Sequence, residues 1–425
     1  MIKIDNINLA IIGLGYVGLP LAIEFGKQRN VIGYDTKNIR VSELNKQVDS
    51  NLEISQSEFF EASKLVFTNE INDITECNCF IITVPTPLKE GKKPNLNILK
   101  DATKAIAKII KKNNIVIYES TVYPGVTEEI CVPILEKESG LIFNIDFFIG
   151  YSPERVNPGD KMRSVSDIVK VTSGSTPSIA KIIDELYSSI VTAGTYMAPS
   201  IKVAEAAKVI ENTQRAVNIA LINELAIIFN ELEIDTEEVL LAAGSKWNFL
   251  NFRPGLVGGH CIGVDPCYLS HKAEAVGISP EIILASNNTN DNMSNHVVQK
   301  IINETAYRNI KIEEADILVM GFTFKENCPD IRNTKVNDIF IKLNKLCNSV
   351  DVYDPWVDSQ EALNSYNLSL IDKPIKAKYC VILIAVAHDC FKEIGLEGMQ
   401  KFVKRNYFIY DLKYILPKNN SVIRL

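Results

Sequence analysis

The sequence predicts an α/β protein in which two doubly wound parallel-sheet domains are joined by a central helical domain built on one long helix. Three observations carry that expectation. A glycine-rich turn stands between an apolar run and a helical stretch near residue 13, residues 200–231 keep helical spacing without Gly or Pro, and a second alternation of apolar runs and helical stretches starts at Ile317.

Residues 8–12 form a short apolar run, followed by Gly13, Gly15 and Gly18, the periodic Leu21, Ala22 and Phe25, and a second run from Val31 to Asp35. Strand, tight turn, helix and strand in that order open a doubly wound sheet. Strand-like runs recur at 79–84, 115–118 and 147–150, separated by helical stretches such as 99–110. Apolar runs alternating with helices imply parallel strands covered on both faces. This first domain is expected over residues 1–199.

From residue 200 the pattern changes: Val203, Ala207, Ile210, Ala216, Ile219, Leu221, Leu225 and Ile228 recur at helical spacing. A helix of this length spans about 45 Å at about 1.5 Å per residue. Because it is apolar on more than one face, it is expected to bridge domains or a dimer. Helical sequence resumes at 236–243 and 285–308, and the central domain is placed at 200–309. The third domain, 310–425, alternates strands at 317–322, 349–354, 380–385 and 407–411 with a helix at 336–347. It lacks a second glycine turn and so need not bind a dinucleotide.

Composition excludes several classes. The chain has 425 residues, 46% of them hydrophobic and 23% charged, which fits a folded protein of about two to three domains. A net charge of −7 disfavours nucleic acid as a partner. No apolar run approaches the roughly 20 residues of a membrane helix, and the start lacks the pattern of a signal peptide, so a cytoplasmic protein is expected. Nine cysteines scattered through a long chain read as free thiols. Cys77 and Cys79, beside an apolar run, are expected to be buried small hydrophobes rather than a redox pair.

The glycine turn carries the first piece of chemistry. Gly13, Gly15 and Gly18 admit a tight turn and the close approach of a pyrophosphate, the helix N-terminus faces its charge, and Asp35 can accept from a ribose hydroxyl. NAD is the expected cofactor, since the acid repels the 2′-phosphate of NADP. Val84-Pro85-Thr86-Pro87, the stretch from Glu119 through Ser120 and Thr121 to Gly125, and Tyr151-Ser152-Pro153-Glu154-Arg155 each leave a strand at its C-terminal end, where open α/β sheets bind ligands. Each is equally readable as a turn, and Glu154 as a base or as half of a surface pair with Arg155. Glu205, Lys208, Asn212 and Arg215 share one face of the long helix. Such a stripe is ordinarily solvated, but with the other faces apolar it can line a cleft.

The second piece is Gly258-Gly259-His260-Cys261-Ile262-Gly263-Val264-Asp265-Pro266. A glycine pair lets the backbone approach a ligand, and a cysteine so delivered can attack a small electrophile. Combined with a redox cofactor, it implies oxidation through a thioester. Zinc on His260, Cys261, Cys267 and His271 is disfavoured because the spacing matches no usual zinc site, and no metal is expected.

Taken together these motifs resemble the UDP-glucose/GDP-mannose dehydrogenase family over essentially the whole chain. They occur in order: the Gly13–Gly18 turn with Tyr16 and Val17, Ser120-Thr121, Pro153-Glu154, Lys208 with Asn212, Gly258-Gly259-His260-Cys261 with Asp265, and Gly321-Phe322-Thr323-Phe324-Lys325 through Asp330-Ile331-Arg332. The resemblance implies an NAD-binding Rossmann domain, a central dimerisation domain and a Rossmann-like domain gripping a UDP-sugar. It implies two successive oxidations of a sugar C6 alcohol to a carboxylate. Residues 247–266, with Gly263-Val264 before Asp265, resemble the branch acting on UDP-N-acetylhexosamines of the gluco or galacto series, which serves surface polysaccharide synthesis. Cys267 departs from that branch's aromatic. UDP-glucose and UDP-N-acetylmannosamine are the alternative substrates, and an inactive nucleotide-binding dimer is the alternative class. Retention of Cys261, Lys208, Asn212 and Asp265 argues against the latter.

By the same resemblance Cys261 is the nucleophile, Lys208 and Asn212 stabilise oxyanions, Asp265 assists proton transfer, Glu154 is the base toward water, and Thr121 helps hold that water. Arg40, Pro85, Thr86, Ser120 and Thr121 join the glycine turn and Asp35 in the cofactor set. Glu154, Arg155, Lys208, Asn212, Arg253, Gly258, Phe324, Lys325 and Arg332 form the substrate set, with Arg253 reaching across a homodimer.

Overall fold

The computed structural model describes residues 4–154, 164–259 and 262–425. The chain divides into two compact units, residues 1–211 with 267–278 and residues 212–266 with 279–425.

The first unit is built on a six-stranded sheet of β1 (Leu9–Ile12), β2 (Val31–Tyr34), β3 (Leu65–Thr68), β4 (Cys79–Ile82), β5 (Asn114–Tyr118) and β6 (Phe147–Tyr151). The order is β3-β2-β1-β4-β5-β6 and every pairing is parallel. Leu9 is in register with both Val31 and Cys79, so the order reverses at β1 and leaves a crevice beyond the strand ends there. β1, β4 and β5 are buried throughout, as a parallel sheet covered on both faces requires. Cys77 and Cys79 are buried, and burial pushes their thiols up to about 11 and about 12. A separate parallel pair, β7 (Lys170–Thr172) with β8 (Thr195–Met197), flanks the helix Pro177–Ser188 in sequence. The two strands are not legible as periodic runs, whereas the helix buries Ile179, Ala180, Ile183, Leu186 and Tyr187 on one face at helical spacing. The strands are three residues long, and the helix start is marked by Thr176, whose hydroxyl accepts from the Ile179 amide, and by Pro177 in the first turn.

The second unit has a five-stranded parallel sheet of β9 (Asp316–Met320), β10 (Ser349–Tyr353), β11 (Tyr379–Ile384), β12 (Val403–Asp411) and β13 (Val422–Arg424), ordered β10-β9-β11-β12-β13. β12 begins four residues earlier than its apolar run, because Val403 pairs with Tyr379 across a register shift. The helix expected over 336–347 closes at Leu343.

The long helix is Ile201–Glu231, and its residues belong to both units. Ala204, Val209, Ala216, Ala220, Ile222 and Ala226 are buried along it, while Val203, Ile210, Leu221 and Ile228 stay exposed. Helices Thr236–Gly244, Asp265–Ala275 and Glu281–Tyr307 follow. Among the described residues no helix is long and apolar enough to cross a membrane.

Candidate functional site

The glycine turn leaves β1 and enters the helix Gly18–Gln28. Gly13 holds a φ of +94°, a conformation that side chains resist. A Cβ at Gly18 would stand 1.9 Å from the Gly13 carbonyl oxygen and 2.4 Å from the Thr83 hydroxyl, so helix and strand approach as only glycine allows. Gly15 differs: a Cβ there would meet nothing within 4 Å, which leaves room above the turn for a phosphate. Val17 provides no side-chain cap, so the helix N-terminus is available to an anion.

Asp35, one residue past β2, faces this turn. Its Oδ2 accepts from the Leu14 amide at 2.8 Å and its Oδ1 from the Lys37 amide at 2.9 Å. A carboxylate has further lone pairs, and a ribose hydroxyl can still donate to it. Arg40 is buried beneath the turn: Nε donates to the Leu14 carbonyl at 2.8 Å, Nη1 pairs with Asp49 at 2.8 Å, and Nη2 is buried with no hydrogen-bond partner among the described residues. These groups fit a dinucleotide.

The loops at the ends of β4 and β5 are stitched together. Ser120 donates to the Val84 carbonyl at 2.6 Å, Thr86 to the Thr121 carbonyl at 2.7 Å, and the buried Tyr268 to the Thr86 carbonyl at 2.7 Å. Pro85 stands exposed beside them. Glu205 completes the second loop from the long helix, its carboxylate accepting from the amides of Gly125 (2.6 Å) and Thr127 (2.9 Å). Burial raises its carboxyl pKa against the pull of those amides.

The polar stripe of the long helix is buried rather than solvated: Glu205 is 0% exposed, Lys208 8% and Asn212 4%. Lys208 donates to the Glu154 carbonyl at 2.8 Å, which brings two of the expected site residues together. Glu154 is no surface residue. It is 5% exposed, and its Oε2 lies 2.7 Å from the ammonium of Lys170. Arg155 lies outside the described residues, as do His260 and Cys261.

In the second unit Asn212 donates through Nδ2 to Asp265 at 2.5 Å and accepts from Arg215. Asp265 is 1% exposed and opens the helix Asp265–Ala275, where a carboxylate is favoured. The glycine pair acts differently from expectation. A Cβ at Gly258 would stand 2.7 Å from the Asn333 carbonyl, and one at Gly259 (φ +75°) would stand 2.6 Å from the Phe324 ring. The close approach that these glycines permit is to the chain's own 324–333 segment. Gly258 and Phe324 line a cleft with Leu256, Thr323, Lys335 and Lys413. Arg332 is held by a two-pronged pair with Asp330, and Arg253 is paired with Glu237 at 2.9 Å while half-exposed.

Sequence reading missed the residues that hold these loops. The buried Asn223 donates to the Gly255 carbonyl (3.1 Å) and to Asn290 (3.0 Å), and accepts from the Gly255 amide (2.8 Å). Asp354 accepts from the amides of Phe322 and Thr323 and pairs with the buried His388 at 3.0 Å. The other ring nitrogen of His388 accepts from the Asn327 amide, so the proton sits on Nε2 and is donated to Asp354. Burial pushes the Asp354 carboxyl up, but His388 and the amides outweigh it and hold it below the usual range. Thus Asp354 and His388 fix the segment that carries Phe324 and Lys325.

Three family models match in chain order: the NAD binding domain of the UDP-glucose/GDP-mannose dehydrogenase family over residues 7–191, its central domain over 202–292 and its UDP binding domain over 318–418. The chain is similar to UDP-N-acetyl-D-glucosamine 6-dehydrogenase of Pseudomonas aeruginosa, 57% identical over 99% of this chain and 100% of the relative. It is 56% identical to the protein of the same name from Salmonella typhi, over the full length of both. Among solved structures, the UDP-D-ManNAc dehydrogenase of Pyrococcus horikoshii superposes with a TM-score of 0.90 at 30% identity, covering 98% of each chain. A dinucleotide cradle in the first unit, and a match that runs through all three modules, place the chain in the UDP-glucose/GDP-mannose dehydrogenase family, as an enzyme that uses NAD.

Proposed function

We propose that the chain oxidises the C6 alcohol of UDP-N-acetylglucosamine to the uronate, using two NAD per turnover. The observation that carries the substrate is the 57% and 56% identity, over essentially full length, to two proteins named for that activity. The Gly263-Val264 pair before Asp265 supports an N-acetylated sugar, as in the branch it resembles. The proposed modules are residues 1–199 for NAD, 200–309 for dimerisation and the cysteine loop, and 310–425 for the UDP-sugar.

Bound NAD supplies the hydride acceptor for each of two oxidations. The chain does the rest: the Cys261 thiolate attacks the C6 aldehyde left by the first, and the resulting thiohemiacetal, once oxidised, is a thioester. Water cleaves it, releasing the uronate and returning the thiol, with Glu154 as base and Thr121 holding the water. Lys208 and Asn212 stabilise the oxyanions, and Asp265, tied to Asn212, assists proton transfer. Arg155, Arg253, Gly258, Phe324, Lys325 and Arg332 bind the substrate. A homodimer on the long helix covers Val203, Ile210, Leu221 and Ile228, and brings Arg253 to the partner's sugar.

The test is NADH release by the purified full chain on a panel of UDP-N-acetylglucosamine, its C4 epimer, UDP-N-acetylmannosamine and UDP-glucose. UDP-N-acetylglucosamine is expected to rank first, and Cys261→Ala to make no uronate while still binding NAD. Preference for UDP-glucose overturns the substrate, and full uronate yield from Cys261→Ala overturns the thioester.

A further inference from the structure

Lys170 stands in β7, outside every motif named above, yet its ammonium sits between two of the proposed site's loops. Nζ lies 2.8 Å from Glu119 Oε2 and 2.7 Å from Glu154 Oε2, with the Lys170 side chain 3% exposed and those of the two acids 0% and 6%. Glu119 follows the last residue of β5 and precedes Ser120 and Thr121 directly. Tyr187, from the helix Pro177–Ser188, donates to its other oxygen. One cation therefore ties the loop of Thr121 to the loop of Glu154.

We propose that Lys170 is a positioning residue for the hydrolytic half of the reaction: it registers the Thr121 loop against Glu154 and keeps the carboxylates of Glu154 and Glu119 ionised together. The inference rests on the role proposed above for Glu154. Two buried carboxylates this close to one ammonium repel each other, and without the cation they would share a proton. The groups that face the cluster are Tyr187, Cys79 toward the Tyr187 hydroxyl, and Lys208 of the long helix, whose ammonium is engaged by the Glu154 carbonyl. Burial pushes the Lys170 pKa down, but the two acids outweigh it and the net shift is upward. Glu119 is raised, by burial first and by Glu154, against the pull of Lys170. The cation thus stays charged through neutral pH, and protonation falls on Glu119 as pH drops.

The test compares Lys170→Met, Lys170→Arg and the double variant Lys170→Met with Glu119→Gln in the full-length protein, read by pH–rate profiles of uronate formation. Lys170→Met is expected to lower kcat at neutral pH by about tenfold or more and to move the acidic limb up by about one pH unit or more. The arginine variant restores most of the rate. The double variant recovers part of the loss, because it removes the repulsion together with the cation, and it also serves where Lys170→Met alone does not fold. An acidic limb in the same place for every folded variant overturns the proposal. Carbon-13 titration of glutamate-labelled protein, assigned with Glu119→Gln and Glu154→Gln, reads the same coupling without turnover. If no UDP-sugar yields NADH, the proposed function fails. If turnover is normal and the titration is unmoved by Lys170→Met, the role of Lys170 fails by itself.

Discussion

Gly15→Ala separates cofactor binding from stability. At Gly15 an added Cβ meets nothing within 4 Å, and its φ lies outside the left-handed region. The methyl therefore costs the free protein little, and the stiffer unfolded chain offsets it by about 0.4–1 kcal/mol. That methyl stands where the pyrophosphate should lie, so NAD affinity should fall at least about tenfold, or about 1.4 kcal/mol. Gly18→Ala makes the contrast. Its Cβ would sit 1.9 Å from the Gly13 carbonyl, so backbone must move and the fold loses about 1–3 kcal/mol or more. Calorimetric titration with NAD and thermal melts read the two quantities separately. Gly15→Ala should melt at or above the wild-type temperature and bind NAD weakly, whereas Gly18→Ala should lose on both counts. Wild-type NAD affinity in Gly15→Ala would refute the placement of the pyrophosphate over this turn.

Asp35→Asn should weaken NAD several-fold and relax the preference over NADP, if the proposed role of the carboxylate, accepting from the ribose and repelling a 2′-phosphate, holds; paired titrations check it, and an unmoved ratio removes Asp35 from the ribose. Lys208→Ala should lower kcat about a hundredfold or more with NAD affinity held within about twofold, the signature of lost oxyanion stabilisation; an unchanged kcat would reduce Lys208 to a tie on the Glu154 carbonyl. Asn223→Ala strands the Gly255 amide and carbonyl and should cost about 2 kcal/mol or more in denaturant melts. A loss under about 0.5 kcal/mol would mean that water takes over the clamp.

The long elements were legible because their periods are. β1, β4, β5 and β9 are short apolar runs bounded by turns, and Ile201–Glu231 repeats without interruption. The cofactor turn was legible because its glycines are local: Gly13, Gly15 and Gly18 stand within six residues between a strand and a helix, and Gly18 packs against the Gly13 carbonyl. What could not be read is whatever depends on a partner distant in sequence. Lys170 meets Glu119 from 51 residues away, and Asn223 meets Asn290 from 67, with no period or motif to announce either. The polar stripe was legible as one face of the helix that can line a cleft, but not the partners that bury it, since Glu205 looks like a solvated acid until the amides of Gly125 and Thr127 are brought to it.

The glycine pair before the cysteine has its close neighbour within the chain. The sequence pattern suggests that glycine at 258 and 259 makes room for a ligand, whereas a Cβ there would meet the Asn333 backbone and the Phe324 ring. The 324–333 segment is itself fixed by Asp354 and His388 through the amides of Phe322, Thr323 and Asn327. Buried and hydrogen-bonded on both sides of the His388 ring, that link imposes geometry on the segment. The loop carrying the cysteine and the segment carrying Lys325 and Arg332 therefore share one register within the second unit, so a side chain added at Gly259 should displace both together rather than either alone.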